Sequence, residues 1–475
     1  MGLTGAVLLL VLLVLKSLRE NFTDISQIKR QSRIWRLSLR RAYHFVIFRI
    51  KGSHVQAEER AKLEESFAIK SAEDAAKVLG EMKGAIMKAG QMLSFIADGL
   101  PPQAQAALAS LQSDVPPMAP SLAESVIKQE LGLDVGRLFL DWDPIPIAAA
   151  SIGQVHKAVM PDGRLVAVKV QYPGVQQALK GDLDNAQLLY GIFSQFTLKG
   201  VDVKALVDEL RVRMAEELDY TIEAGYQKEF YELYKGHPFI HIPQVIQERS
   251  SRKVLTTEWV EGLRWDEFLA SSTDNARQKA GEILFRFSQA CVHEHGIFNA
   301  DPHPGNYRLH KDGSITFLDF GLVKRWKAGE LQRLIPVLEA MLSQDAIKMV
   351  DSAIEAGFLP SNHGLDPELI YEYASQPYKP LIQNYFQYSK NWVSSTLHEV
   401  LDLKGRYGEV IKAFNMPAYY LLLDRLEWGI NALLGRLEAG NTWRCILEEY
   451  THQAPPCTAL GIEEKKWKAK KSFSS

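Results

Sequence analysis

Two short polar segments carry the residue types that position metal-bound phosphates. The first runs from Asp301 to Asn306 (DPHPGN), and the second, LDFG, contains Asp319. In phosphoryl transfer the asparagine and the later aspartate hold magnesium, while the first aspartate orients the attacking hydroxyl or water. The pattern predicts that Asp301 is catalytic and that Asn306 and Asp319 are magnesium ligands. The alternative for Asp319 is that it only caps the turn before Gly321.

An apolar run upstream ends in a lysine that could supply the cation of such a site. Leu165–Lys169 (LVAVK) matches the protein-kinase strand motif whose lysine neutralises ATP phosphates and pairs with a helix glutamate. Alone the signal is weak, because strand lysines are common on solvated faces. The polar residues downstream, in the expected order, favour a catalytic Lys169.

A small-residue segment stands where a protein kinase has its glycine-rich loop. The residues predicted to contact ATP there are Ala148, Ala149, Ala150, Ser151, Gly153 and Gln154. Small side chains let backbone N–H groups approach phosphate. Alanine lacks glycine's access to positive φ, so we expect a stiffer loop. A plain small-residue loop before a strand is the alternative.

Acidic residues recur in the segment 215–224, whose apolar spacing predicts a helix. Glu216, Asp219 and Glu223 would share one face of that helix. Like charges so spaced repel one another unless cations meet them. Lys169 and Lys88 are the candidate cations, and a solvated acidic face is the alternative.

The elements that must position these residues are predicted to be helices and strands in an α+β arrangement. Apolar spacing predicts helices at 74–95, 121–131, 182–234 and 276–295. Strands are predicted at 241–247 and 253–260, with a hairpin over 155–172 that turns at Pro161-Asp162-Gly163. The segment 296–324 is predicted to form loops on a rigid scaffold. The remainder is predicted to be mostly helical, with a disordered end rich in Lys and Ser.

Composition excludes some classes of function. The 475 residues are 46% hydrophobic and 24% charged, which indicates a globular protein. Lys plus Arg number 55 against 57 Asp plus Glu, so overall charge gives no reason to expect nucleic acid. The sequence has no CxxC pair among its three cysteines, which are Cys291, Cys445 and Cys457. We therefore expect neither a disulfide framework nor a zinc cluster, and we expect the protein to lie in a reducing compartment.

The amino-terminal segment favours a membrane. Residues 1–15 carry no charge and are followed by Lys16 and Arg19, which predicts an anchor with its basic flank inside. The run is shorter than the ~20 residues of a full span, so an interfacial anchor or an uncleaved signal-like segment fits as well. The basic segment 16–51 predicts a helix that lies on an anionic membrane or packs on the main domain.

Four motifs together resemble the UbiB family of atypical kinases, also called the AarF family. They are Lys88-Ala89-Gly90-Gln91 (KxGQ), the alanine-rich segment 148–154, Glu217-Leu218-Asp219 (ExD) and the ADPHPGN loop at 300–306. The resemblance covers about 74–324. One departure is Asn299, where many members have histidine, and we do not expect it alone to abolish activity.

The resemblance implies a two-lobed protein-kinase-like fold with a family-specific helical extension at the amino-terminal side and a helical carboxy-terminal region. In that family the KxGQ helix covers the active site and its lysine contacts the ExD acids. The resemblance therefore implies that Lys169 pairs with Glu223 and adds two candidate groups of residues. The regulatory candidates are Lys88, Gly90, Gln91, Glu217 and Asp219, and the further ATP-binding candidates are Glu258 and Val260.

We predict six segments along the chain. They are a membrane-directed segment at 1–20, a basic linker at 21–73, the KxGQ extension at 74–143, an amino-terminal lobe at 144–262, a carboxy-terminal lobe with helical extension at 263–460, and a disordered basic tail at 461–475.

The predicted function is Mg-ATP-dependent hydrolysis or phosphoryl transfer that supports isoprenoid quinone (ubiquinone) synthesis at a membrane. ATP and Mg²⁺ are the expected cofactors, and membrane lipids, quinone-synthesis enzymes or a lipid or small-molecule substrate are the expected partners. The alternatives are a protein or small-molecule kinase, and a catalytically silent scaffold that senses nucleotide and binds lipid. A bacterial inner membrane, facing the cytoplasm, is preferred to a mitochondrial inner membrane, because the amino terminus is apolar rather than rich in Arg and Ser.

Overall fold

The amino-terminal lobe is built on a five-stranded antiparallel β-sheet. The computed structural model describes residues 118–150, 152–173, 175, 212 and 215–472. The strands of the sheet follow the order β1–β3–β4–β6, with β2 paired to β3. They are β1 (Asp141–Trp142), β2 (Ala148–Ala150), β3 (Gly153–Val159), β4 (Leu165–Gln171) and β6 (Val254–Glu258). The short strand β5 (Ile240–His241) belongs to the other lobe.

The predicted hairpin over 155–172 is confirmed. Strands β3 and β4 pair antiparallel over their whole length, and Val155 lies opposite Lys169. Val166, Val168 and Val170 are buried on one face of β4, which places Lys169 on the other face. The turn between the strands needs Gly163, which has φ +87°.

Among the described residues, two helices precede the sheet and one follows its hairpin. They are α1 (Pro120–Leu131), α2 (Val135–Leu138) and α3 (Tyr220–Tyr234). The helix predicted at 121–131 is confirmed, and it buries Ala123, Val126 and Ile127 in the same apolar cluster as the valines of β4.

The prediction of one continuous helix over 215–224 is wrong. Leu218 lies in a turn, and Asp219 is extended (φ −129°, ψ 94°) and caps α3, its side chain accepting a hydrogen bond from the Thr221 N–H. An aspartate competes with helical backbone bonds in this way and favours the cap position. Asp219 therefore does not share a helix face with Glu216 and Glu223.

The carboxy-terminal lobe holds the two polar loops between short strand pairs. Strand β7 (Ile297–Asn299) pairs with β10 (Val323–Arg325), and β9 (Ile315–Phe317) pairs with both β8 (Tyr307–Leu309) and β5. The loop 300–306 lies between β7 and β8, and Asp319 lies between β9 and β10. Behind them run α4 (Trp265–Ser271) and α5 (Asp274–Gln289), the latter continuing as a π-helix to His295.

The rest of the described chain is mainly helical, as predicted. It comprises α6 (Glu330–Leu342), α7 (Ala346–Glu355), α8 (Pro367–Ser375), α9 (Lys379–Ile382), α10 (Lys390–Leu401), α11 (Gly408–Ala413), α12 (Leu421–Leu437), α13 (Trp443–Thr451), α14 (Ala459–Ser472) and the strand pair β11 (Phe386–Gln387) and β12 (Gly440–Asn441). Together with α5 these elements enclose the larger apolar core.

The prediction of a disordered tail is wrong up to Ser472. Helix α14 buries Leu460 and Glu464, and the Trp467 ring lies 4.4 Å from the His237 ring. The lysines that suggested a solvated tail also make contacts, since Lys471 Nζ donates to the carbonyl oxygens of Glu232 and Leu233 at the end of α3. The Lys- and Ser-rich composition of this segment therefore gave no sign that one face of α14 packs against the protein.

The expectation of unpaired cysteines is also wrong for two of the three. Cys445 on α13 and Cys457 before α14 form a disulfide, with Cα atoms 6.3 Å apart, while Cys291 is free and buried. Only the fold brings them together, because they are 12 residues apart and match no motif spacing.

No helix within the described ranges is long and apolar enough to cross a membrane. The predicted anchor at 1–20, the basic linker and the KxGQ motif lie outside the described residues.

A buried arginine joins α14 to the rest of the lobe. The Arg286 side chain is 1% exposed, and its guanidinium lies 2.7 Å from Glu282 and 2.8 Å from Glu449. A third carboxylate, Glu464 of α14, lies 3.4 Å away. Glu464 also pairs with Lys468 at 3.2 Å, whereas burial of Glu282 and Glu449 is tolerable only while the guanidinium pairs with them.

We expect Arg286→Met to lower the free energy of unfolding by about 3–5 kcal/mol, because it leaves buried carboxylates unpaired. Urea unfolding of the full chain measures this. Arg164→Met removes a charge whose partner, Asp162, is half-exposed, and it should leave the free energy of unfolding almost unchanged. Equal losses in the two variants would contradict a special role for the Arg286 cluster.

Candidate active site

A lysine ammonium joins the two lobes at the centre of the site. Lys169 Nζ on β4 lies 2.8 Å and 3.0 Å from the carboxylate oxygens of Glu223 on α3, so the predicted pair is present. It also lies 3.3 Å from Asp319 Oδ2 in the other lobe. The Lys169 and Glu223 side chains are only 15% and 8% exposed.

Negative charge is in excess around this ammonium. Burial alone would lower the pKa of Lys169, but Asp319 and Glu223 outweigh burial and raise that pKa well above its ordinary value. Burial raises the pKa of Glu223 to about 7, with Lys169 opposing and Asp319 and Glu217 adding to the rise. The site thus favours an added cation.

The Asp-Phe-Gly turn brings three carboxylates together. A Cβ atom placed on Gly321 would lie 3.2 Å from Asp319 Oδ1 and 3.8 Å from the carboxylates of both Glu217 and Glu223. Asp319 Oδ1 accepts from the Gly321 N–H at 2.9 Å, so Asp319 caps the turn while its other oxygen meets Lys169. Asp319 therefore both caps the turn and pairs with Lys169, so its role as a turn cap does not exclude a functional role.

The loop 300–306 holds its two polar side chains in contact. Asn306 Nδ2 donates to Asp301 Oδ2 and to the Asp301 carbonyl, both at 2.9 Å. Asn299 joins this loop to the other, because its Nδ2 donates to the Asp319 carbonyl while its Oδ1 accepts from the Asp301 N–H. Asn299, which stands where many family members have histidine, therefore links the two polar loops through its side-chain amide.

Arg425, on α12, was missed by sequence reasoning. Its guanidinium pairs with Asp301 Oδ1, and its Nε donates to the Ala300 carbonyl at 2.9 Å. The sequence signal is a pair of charged residues, Asp424 and Arg425, inside the otherwise apolar segment 421–426. That signal indicates a buried partner but does not identify it.

The alanine segment forms a tight hairpin rather than an open loop. Ala148, Ala149 and Ala150 of β2 pair with β3, Ala150 lying opposite Gly153. A Cβ atom at Gly153 would lie 2.3 Å from the Val170 carbonyl oxygen, so glycine is required for β3 to approach β4. Ser151 lies outside the described residues.

Two side chains predicted to bind ATP make hydrogen bonds within the protein. Gln154 is buried, and its amide contacts the Met118 N–H and His156, each at 2.9 Å. Glu258 accepts from the Gln244 N–H at 3.2 Å. These contacts hold both side chains against the lobe itself, and the prediction that Gln154 and Glu258 contact ATP stays a prediction. Val260 lies in the connection between β6 and α4 that links the lobes.

The two ExD acids occupy different surroundings. Glu217 lies beside Asp319 and Glu223, as described above, whereas Asp219 caps α3 and lies 3.3 Å from Arg252 Nε. The predicted contact with Lys88 stays a prediction, because Lys88, Gly90 and Gln91 lie outside the described residues.

The donor set fits a cation shared with phosphates. No group of three or more His, Cys, Asp or Glu side chains suited to a metal occurs in the part of the chain that the structure describes. Mg²⁺ does not require such a group, because it is commonly held by one or two protein oxygens together with substrate phosphates. Asp319 and Asn306 could supply those oxygens.

Comparison with known proteins agrees with this geometry. A sequence profile of the ABC1 atypical kinase-like domain matches residues 110–353. The Arabidopsis thaliana protein named Activity of BC1 Complex Kinase 3, chloroplastic, is 32% identical over 346 residues, which are 71% of this chain and 47% of that protein. An uncharacterized protein from Synechocystis sp. is 34% identical over 59% of this chain and 71% of its own length.

The chain spans about half the length of the first curated relatives that it matches, from 47% to 53%. Among solved structures, the complex of Rv3197 with erythromycin from Mycobacterium tuberculosis matches with a TM-score of 0.61 at 31% identity, covering 83% of this chain and 97% of that one. The predicted kinase-like α+β fold is confirmed. The profile match and these relatives establish that the chain belongs to the ABC1 atypical kinase-like family, also called the UbiB or AarF family.

Proposed function

We propose that the chain binds Mg-ATP between its lobes and catalyses phosphoryl transfer to water or to a small acceptor. The observation that carries the proposal is the Lys169 ammonium, placed between Glu223 and Asp319. That contact joins the sheet, α3 and the Asp-Phe-Gly turn. Kinases require the same lysine–glutamate pair and the same aspartate before they turn over.

Asn306 and Asp319 would hold the magnesium ion. Because Asn306 Nδ2 donates to Asp301, the amide oxygen is the atom left for a cation. When bound, the ion would neutralise phosphate charge and offset the carboxylates around Lys169. Lys169 would contact the phosphates, with its ammonium oriented by Glu223.

Asp301 would orient the attacking hydroxyl or water and accept its proton. Asn306 and Arg425 hold its carboxylate from two sides, which restricts it to one orientation. Such positioning supplies much of the rate enhancement in phosphoryl transfer, where the protein does little covalent chemistry.

Access to the site would be regulated by the KxGQ segment. Glu217 lies beside the proposed magnesium ligand Asp319, so a lysine at 88 that contacts Glu217 would compete with the metal-bound nucleotide for the same carboxylates. This remains a proposal from the family resemblance, with Gly90, Gln91 and Asp219 as the other regulatory residues.

The biological role that we propose is support of isoprenoid quinone synthesis at a membrane, with membrane lipids and quinone-synthesis enzymes as partners. The support is the family membership and the apolar sequence at 1–15. A bacterial inner membrane is our preferred location, with a mitochondrial inner membrane as the alternative.

The test of the proposed activity is phosphate release from Mg-ATP by the purified full chain, with and without anionic liposomes. We expect release that depends on Mg²⁺ and rises with liposomes, and a loss of about a hundredfold or more in Asp319→Asn, because a charge that acts in the transition state is removed. Asp366→Asn is the matched control, since Asp366 is an exposed helix cap and asparagine also caps helices.

Undiminished release by Asp319→Asn would contradict the assigned site. An absence of release from the native chain would exclude hydrolysis. Transfer of labelled phosphate to a protein or lipid would then identify a kinase, and nucleotide binding without either reaction would identify a scaffold.

A second prediction concerns the residue that holds Asp301. Arg425→Lys keeps the positive charge but cannot donate to both the Ala300 carbonyl and the Asp301 carboxylate in the same planar geometry. We expect kcat for ATP to fall about tenfold or more while KM for ATP stays within about twofold, because positioning rather than nucleotide binding is lost.

The control is Arg436→Lys on the same helix, whose partner Asp266 is exposed. A rise in KM with unchanged kcat would show that Arg425 serves nucleotide binding instead. Equal effects of the two substitutions would show a general effect on α12.

A further inference from the structure

An apolar cavity lies within the helical carboxy-terminal region, outside the nucleotide site. Its volume is about 300 Å³, at the lower end of the range for small-molecule pockets. Most of its wall is aliphatic or aromatic, with Leu334, Met349, Phe358 and Leu397 among the lining residues. Walls that face empty space lose dispersion contacts, so a cavity of this kind favours an apolar occupant.

Two acids on α12 lie in the wall of the cavity. Asp424 and Glu427 are three residues apart on one side of the helix, and both line the cavity. Neither has a Lys or Arg partner within the described ranges, and no Lys or Arg is found among the described residues of the wall. Acids placed together in apolar surroundings without a cation are costly unless they bind protons or a positively charged group.

The hydrogen bonds around Glu427 leave room for one more proton. Tyr378 and Tyr420 hydroxyls lie 2.8 Å and 3.0 Å from Glu427 Oε2, and they lie 2.8 Å from each other. Three contacts among three oxygens need three protons, but two tyrosines supply only two. A proton on Glu427 completes the ring, and a ligand that donates from an ammonium group could replace that proton.

We propose that this cavity binds a lipophilic amine, with the apolar part of the ligand in the cavity and its ammonium group on Glu427 and Asp424. The apolar wall of the cavity favours a ligand with an apolar chain. Asp424 and Glu427, which have no Lys or Arg partner among the described residues, favour a ligand with a positive charge. This site differs from the nucleotide cleft, and its binding can be measured without ATP.

Titration of these acids gives the proposal an independent signature. Burial raises the pKa of Asp424 to about 8, with Glu427 adding to the rise, and burial raises the pKa of Glu427 to about 7. Both acids therefore hold protons to a large extent at pH 7. A bound ammonium stabilises the charged carboxylates, so binding at pH 7 should release protons.

Other titratable groups face these acids. Burial lowers the pKa of His293 to about 4, so it is neutral at pH 7, and burial raises the pKa of each facing tyrosine above its ordinary value. The titratable groups that face the acids or line the cavity with them are Tyr373, Tyr378, Tyr388, Tyr420 and His293, and the Trp428 indole makes a hydrogen bond with Asp424.

The test is calorimetric titration of the full chain, without nucleotide, with three probes of equal chain length: octylamine, octanol and octanoate. We expect octylamine to bind at least about tenfold more tightly than octanol, with octanoate weakest, and its heat at pH 7 to change with the ionisation enthalpy of the buffer. This comparison needs no variant. Equal affinities for octylamine and octanol, or no binding of octylamine, would overturn the proposal.

Variants then locate the site. Glu427→Gln keeps an acceptor for the tyrosines and should weaken octylamine binding severalfold, because Asp424 alone then faces the ammonium, without changing octanol affinity. Glu399→Gln makes the same change on the exposed side of α10 and should leave both unchanged. Ala374→Leu fills part of the cavity and should weaken both probes. Unaltered octylamine binding in both Glu427→Gln and Ala374→Leu would place the amine elsewhere and overturn the assignment.

Discussion

The ammonium group of Lys169 is the constraint on which the rest of the site depends. It is buried, so it is tolerated only while Glu223 and Asp319 surround it. Three separate features must hold for that contact to form: the register of β4, the start of α3 at Tyr220 and the turn at Asp319. A one-residue slip of β4 would turn Lys169 into the valine core and move Val168 into the site. The same contacts that fix the register of β4 therefore also position the site.

The helical region that follows the two lobes is part of this construction. Arg425 ties α12 to Asp301 and to the Ala300 carbonyl. Four residues later, a Cβ atom on Gly429 would lie 2.1 Å from Pro302 Cγ, so only glycine allows the helix to lie so close to the loop. The orientation of Asp301 depends on a segment more than a hundred residues downstream. The helical region therefore contributes directly to the position of the loop that carries Asp301.

Short sequence patterns predicted those features of the structure that depend on residues close together in the chain. Lys169, Asp301, Asn306 and Asp319 were recognisable because their chemistry fixes residue type and order, and the β3–β4 hairpin because alternation and turn residues are local. Contacts distant in sequence were not predictable in this way: the Arg425–Asp301 pair, the Cys445–Cys457 disulfide and the packing of α14 all depend on the assembled fold. The break at Asp219 was missed for another reason, since apolar spacing continues through it while side-chain capping interrupts the backbone.

Helix α12 carries opposite charges toward different surroundings. Arg425 faces the acidic loop and is paired, whereas Asp424 and Glu427 face the apolar cavity and have no cation among the described residues. A helix turns 100° per residue, so neighbouring positions reach different sides with one rigid backbone between them. The Gly429–Pro302 contact leaves no space for α12 to move toward the loop. Arg425 and Glu427 are therefore fixed to the same helix, the first against the loop of Asp301 and the second in the wall of the cavity.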